Sequence, residues 1–215
     1  MPIGLPGDVR GVVFDVGETL VDETRMWSDY AADIGVTPFT LMAVLGSLIE
    51  RGDDHRRLWS ELDAEPPAKP QRISQADLYP DALDCLRAAK RLGLIVGIAG
   101  NQPSGVGAQL REAGCAPDFF ASSAEWGVEK PSPEFFLRVT EEAGIPARSL
   151  LYVGDRLDND VIPARQAGMR TAFLRRGPWG IIHSRRPEAR LADLSIASLA
   201  ELTEIMTTTP PVRRE

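Results

Sequence analysis

The chain has 215 residues, 43% hydrophobic and 26% charged, with a formal net charge of −7. That is the balance of a globular domain burying roughly 70% of its unfolded surface, and an acidic one that repels nucleic-acid backbones. Other classes are excluded by what is sparse: no apolar run is long enough to span a bilayer, Cys85 and Cys115 make no disulfide framework, and His55 and His183 make neither a histidine metal site nor a serine triad. Residues 1–11 show no basic stretch leading into an apolar one, so the expectation is a cytoplasmic protein with no membrane or nucleic-acid partner.

In chain order, an apolar run over 9–15 stops abruptly at Asp15 and predicts a fully buried parallel strand. From Thr24 to about Leu78 no strand-like run follows. Met26, Trp27, Tyr30, Ala31 and Ile34 fall at helical spacing, with Trp27, Tyr30 and Trp59 expected in the core of this segment. Thr37-Pro38 reads as an N-cap with proline at the first helical position, opening a helix through Ile49. A short helix is expected over 53–62, then a proline-rich loop over 64–72.

Beyond it the pattern alternates. Helices are predicted over 80–92, about 105–113, 133–143 and 159–167, and strands over 94–99, 118–121, 150–153 and 171–174. Alternation at this spacing predicts βαβ units and a parallel sheet of about five strands, helices on both faces, interrupted by a helical insertion. The expected division is a core of residues 1–22 and 79–206, a helical insertion over 23–78, and a frayed tail over 207–215. His183 is expected in a loop, and the arginine pairs 175–176 and 185–186 in solvent.

In an open parallel sheet, ligands bind beyond the carboxyl ends of the strands. The polar residues that follow the predicted strands are Asp15, Gly17, Glu18 and Thr19; Gly100, Asn101 and Gln102; Glu129 and Lys130; and Gly154, Asp155, Asp158, Asn159 and Asp160. Carboxylates brought so close repel unless a cation sits among them, and an all-oxygen donor set points to Mg²⁺.

At these positions the chain resembles the haloacid dehalogenase-like hydrolases of the helical-cap subclass. The segment from Val12 to Leu20 resembles the family's first motif, D-x-D-x-T, and Ile98 to Asn101 falls where a strand ending in Ser or Thr belongs. Lys130-Pro131 resembles the third motif, and Leu151 to Asp160, continuing to Met169, the fourth. The resemblance implies a Rossmann-like parallel sheet with an inserted helical cap. It makes Asp15 the nucleophile in an aspartyl-phosphate mechanism on a small phosphorylated substrate. It implies Mg²⁺ held by Asp15, the carbonyl of Gly17, Asp155 and Asp160. Lys130 neutralises phosphoryl oxygens, and backbone amides after Asp15 and Gly100 complete the cradle, with Asn101 contributing.

Two positions depart from the pattern. Gly17 replaces the second aspartate, which in phosphatases of the family moves the proton to and from the leaving oxygen; losing such a group costs about 10²–10⁴ in rate. Glu18 is a candidate replacement, although successive residues of an extended segment point to opposite sides. Gly100 removes a hydroxyl. The leading expectation is a weakened phosphatase. The rivals are a catalytically weak binding or regulatory protein and, further off, a dehalogenase; a phosphonatase would need Lys69 as its cap lysine.

Overall fold

A computed structural model describes Leu5 and residues 8–67 and 72–208 of the chain. Lys69 lies outside them. Six parallel strands form one sheet in the order β3-β2-β1-β4-β5-β6: β1 (Gly11–Phe14), β2 (Ile95–Gly100), β3 (Phe119–Ser122), β4 (Leu150–Gly154), β5 (Arg170–Leu174) and β6 (Leu194–Ile196). Register places Phe14 of β1 opposite Ile98 of β2 and Val153 of β4. The three carboxyl ends therefore finish close together, β4 at Gly154 and β2 at Gly100 just past the residues opposite Phe14, on either side of the point where the strand order reverses.

The sheet is buried on both faces because its strands are apolar on both. Val12 and Phe14 face one cluster with Val96, Ile98, Leu151 and Val153, covered by helices α4 (Ala82–Arg91), α5 (Val106–Glu112) and α10 (Leu199–Thr208). Val13, Ala99 and Tyr152 face the opposite cluster, against which Trp126 of the short α6 (Ser123–Trp126) packs and which is closed by α7 (Pro133–Ala143) and Ala164 of α8 (Ile162–Gln166). Period-two alternation along β1 sorts its side chains between these clusters.

The helical insertion is present as α1 (Thr24–Asp33), α2 (Pro38–Arg51) and the short α3 (Leu58–Glu61), entered through a 3₁₀ turn at His55–Arg57. Helix α2 begins and ends as its sequence requires. Thr37 accepts the Thr40 amide at 3.1 Å, Pro38 occupies the first turn, and Gly52 closes the helix at φ 72°. The insertion has its own cluster, built from Tyr30, Leu41, Leu45, Leu48 and Leu58. Trp27, Tyr30 and Trp59 pack ring against ring. One buried member of the cluster, Trp179, comes from α9 (Gly177–His183) and docks the insertion on the sheet domain.

Four expectations need correction. The sheet has six strands rather than five, because β6 is only three residues long and alternates buried, exposed, buried; a run that short leaves no periodic signal. His183 is helical rather than in a loop, 2% exposed, and accepts the Leu157 amide at Nδ1, 3.2 Å away. In the arginine pairs, Arg176 bonds Asp81 and the Thr19 carbonyl, and Arg186 bonds the Ile49 carbonyl; an arginine stem buries readily when its fork finds acceptors. Helix α10 runs through Thr208, two residues into the segment expected to be frayed. No single helix among the described residues is long and apolar enough to cross a membrane.

Candidate active site

The end of β1 delivers Asp15 directly to the switch point, where its amide donates to the Val153 carbonyl of β4 at 2.9 Å. Three more charged side chains converge on it. Lys130 Nζ donates to Asp15 Oδ1 at 2.7 Å and to Asp160 Oδ1 at 2.6 Å. Asp155 follows β4, and its carboxyl oxygen lies with those of Asp15 and Asp160 inside 4.8 Å of one another. All four are buried: Asp15 is 8% exposed, Lys130 3%, Asp155 2% and Asp160 0%.

Backbone shape makes this convergence possible. Past β4 the chain takes one wide turn, with the Val161 amide reaching five residues back to the Arg156 carbonyl at 3.1 Å. That turn lays Asp160 against Gly154, where a Cβ would overlap the Asp160 carboxyl group. Asp160 Oδ2 then accepts the Arg156 amide at 3.0 Å. Gly100 plays the same part at the end of β2, since a Cβ there would overlap Asp15 Oδ1. The missing hydroxyl at this position is thus also the room in which the Asp15 carboxylate sits.

Electrostatically the cluster is unbalanced, with three carboxylates against one ammonium. Burial works against the Lys130 charge, yet Asp15 and Asp160 hold its pKa well above the usual value. Burial, then repulsion from Asp160 and Asp15, pushes Asp155 well above the usual carboxylate range. Burial raises Asp160 as well, with Lys130 pulling against it. Asp155 Oδ2 is buried with no hydrogen-bond partner. A buried, orphaned carboxylate oxygen beside two others is costly by itself and is what a hard divalent cation would satisfy.

Asp15, Gly17, Asn101, Lys130 and Asp155 line one cavity of about 400 Å³, also walled by Trp27, Arg56, Arg156 and Trp179. Gly100 and Asp160 stand behind its surface. Asn101 lines the cavity with its side chain already engaged. Its side-chain amide donates to the Lys130 carbonyl at 2.9 Å and accepts the Lys130 amide at 2.7 Å, so it holds the lysine's backbone in place.

Glu18, the candidate replacement for the missing aspartate, lines the cavity with both carboxylate oxygens already engaged. It sits at φ 51°, and its carboxylate accepts the Tyr79 hydroxyl at 2.6 Å and the Glu23 amide at 3.0 Å. The residue that sequence reasoning missed is Glu23. Its carboxyl group lines the cavity, and its Oε1 occupies the position a Cβ on Gly17 would need. Burial, then the neighbouring Glu18, pushes its pKa up to about 8. Eight positions from Asp15 in an unremarkable stretch, Glu23 carries no motif that would have found it.

A doubly covered parallel sheet whose switch point holds a buried lysine among three carboxylates defines a class: the open α/β folds that bind ligands beyond their strand ends. The chain belongs to the haloacid dehalogenase-like hydrolases, whose family model matches residues 9–168. Among its relatives is the glyceraldehyde 3-phosphate phosphatase of Methanopyrus kandleri, 25% identical, with 92% of this chain and 97% of that one covered. The phosphoserine phosphatase of Thermus thermophilus is 34% identical over 58% of this chain and 51% of its own. Of the solved structures, the HAD phosphatase from Thermococcus onnurineus has a TM-score of 0.62 at 21% identity, covering 95% of this chain and all (100%) of its own. The L-2-haloacid dehalogenase of Xanthobacter autotrophicus reaches 0.69 at 18% identity, covering 94% and 100%. Both chemistries share the fold, so the site has to choose between them.

Proposed function

We propose that the protein is a phosphatase of a small phosphorylated metabolite, with Asp15 as nucleophile and Mg²⁺ held by Asp15, the Gly17 carbonyl, Asp155 and Asp160. The observation that carries this reading is the unbalanced cluster itself, with its orphaned Asp155 oxygen. Excess buried negative charge disfavours the departure of a halide anion from the same spot. With a divalent cation added, it suits a dianionic phosphoryl group. Two relatives aligned along 92% of the chain are named as glyceraldehyde 3-phosphate phosphatases, which supports the same choice.

Lys130 holds Asp15 Oδ1, which leaves Oδ2 to attack phosphorus. Its ammonium lies beside the charge that builds on the phosphoryl oxygens, where a preorganised cation in a water-poor site is most effective. Asn101 fixes the Lys130 backbone and Gly100 leaves room for the carboxylate. When bound, Mg²⁺ would screen the carboxylates from each other and polarise the phosphoryl group. The insertion, residues 23–78, acts as a cap: Met26, Trp27, His55 and Arg56 wall the cavity from its side, and Arg56 reaches Glu129 of the sheet domain at 3.2 Å.

The test is phosphate release from acetyl phosphate, p-nitrophenyl phosphate and glyceraldehyde 3-phosphate, with Mg²⁺ or with EDTA. Mg²⁺-dependent turnover that disappears in Asp15→Asn is the expected result. Absence of turnover on all three, with Mg²⁺ bound, would sink the reading in favour of a binding or regulatory role.

A further inference from the structure

The geometry points to Glu23 as the group that moves the proton Gly17 cannot move: general acid to the leaving oxygen, then general base to the attacking water. This inference rests on the reading above, phosphoryl transfer to Asp15.

Four observations carry it. The space a side chain at residue 17 would enter is already filled, because a Cβ built there overlaps the Oε1 and Cδ of Glu23. Glu23 and Asp15 line the same cavity, so both face whatever is bound. The carboxyl group is aimed. Its Oε2 accepts Trp27 Nε1 at 3.1 Å, and the Glu23 amide is held by Glu18 Oε1 at 3.0 Å, while Glu18 Oε2 is held by the Tyr79 hydroxyl at 2.6 Å. Among the described residues no hydrogen bond reaches Glu23 Oε1, the oxygen that stands over Gly17.

The chain brings residue 23 abreast of residue 17 by one tight loop. The Leu20 and Val21 amides both return to the Val16 carbonyl at 2.9 Å, and the Glu18 amide reaches the Val21 carbonyl at 2.8 Å. A glutamate at the start of α1 has the reach to put its carboxyl group where a shorter aspartate on residue 17 would have put its own. Glycine at 17 is then a condition of this arrangement, since any side chain there would expel the glutamate. Glu18 acts as a positioning residue through Glu23.

In the first step Asp15 Oδ2 bonds to phosphorus, the bond from phosphorus to the ester oxygen breaks, and the Glu23 proton passes to that oxygen to release an alcohol. In the second, water bonds to phosphorus and gives its proton to the Glu23 carboxylate. The bond from phosphorus to Asp15 breaks, leaving phosphate, a free Asp15 carboxylate and protonated Glu23.

The experiment compares wild type with Glu23→Gln, which keeps the acceptor for Trp27, on sn-glycerol 3-phosphate and acetyl phosphate in Mg²⁺. An alkoxide needs a proton to leave and acetate does not. Turnover of the glycerol ester should therefore fall about 10²–10⁴-fold. With acetyl phosphate the first step should persist while the second slows, giving a stoichiometric burst of acetate and an acid-trappable phosphoenzyme. A merely structural glutamate would lower both substrates alike and give no burst, and that result overturns the proposal. Gly17→Asp/Glu23→Ala should recover ester turnover relative to Glu23→Ala, whereas Gly17→Asp alone, with both groups competing for one space, should be worse than wild type; no recovery in the exchange variant also overturns it. Wild type inactive on both substrates refutes the phosphatase reading itself, and the role of Glu23 with it, which is a different result from a live wild type unaffected by Glu23→Gln.

Discussion

Lys130→Met is the perturbation whose outcome the site geometry specifies best. Methionine nearly matches the lysine stem in volume, so packing is kept and one charge is removed. What is lost is the ammonium 2.7 Å from Asp15 Oδ1 and 2.6 Å from Asp160 Oδ1, in a pocket where Asp160 is 0% exposed. Removing one partner of a buried pair costs about 3–5 kcal/mol, which for a domain of this size lowers Tm by about 6–20 °C. The pH dependence follows from Asp160, whose pKa burial already raises above its ordinary 3.8, with Lys130 pulling it back. A carboxyl raised on folding costs stability as pH climbs from its unfolded value through its folded one. Without Lys130 that window extends upward, so the Tm deficit should be small near pH 4 and largest near pH 8. The assay is thermal unfolding by circular dichroism at both pH values in EDTA, repeated with Mg²⁺, which should restore part of the loss at pH 8. A deficit as large at pH 4 as at pH 8 would refute the electrostatic account and leave packing as the cause.

Asp155→Asn removes a carboxylate that burial and two like charges oppose; it should raise Tm by a few degrees at pH 8 in EDTA and abolish the Mg²⁺-induced Tm shift, both read by scanning fluorimetry. In Gly154→Ala the new methyl overlaps the Asp160 carboxyl group, an overpacking cost of about 1–3 kcal/mol by denaturant titration, with activity falling further than stability. Glu23, pushed up to about 8 by burial and Glu18, takes stability away as pH rises from about 4.5 to about 8; Glu23→Gln should therefore melt above wild type at pH 8 and level with it at pH 4. Trp179→Ala removes the α9 anchor of the insertion's core, a loss of about 3–5 kcal/mol in urea unfolding, accompanied by a higher KM because the same ring walls the cavity.

What was legible in the sequence is what local chemistry dictates. The runs ending at Asp15, Ala99 and Val153 had to be buried strands because they are apolar on both faces, and the caps at Thr37 and Gly52 follow from the groups a helix end leaves unpaired. The strands' alternation with helices imposed a parallel sheet, and a parallel sheet sends its strand-end residues to one edge. That logic gathered a wider set of strand-end residues, Glu129 and Asp158 among them, and the resemblance to the family singled out Asp15, Lys130, Asp155 and Asp160 from it. The tertiary structure alone decided the rest. Asn101 bonds the Lys130 backbone and Glu18 the Tyr79 hydroxyl, partners 29 and 61 residues away along the chain that only the fold brings near. Strand β6 formed on three residues because β5 offered it an edge. The proton-transfer question was the least readable of all, for a physical reason. A side chain's sequence neighbours fix the direction of its backbone, but which carboxyl group fills the space above a glycine depends on where the chain returns, and here a tight loop returned it to Glu23.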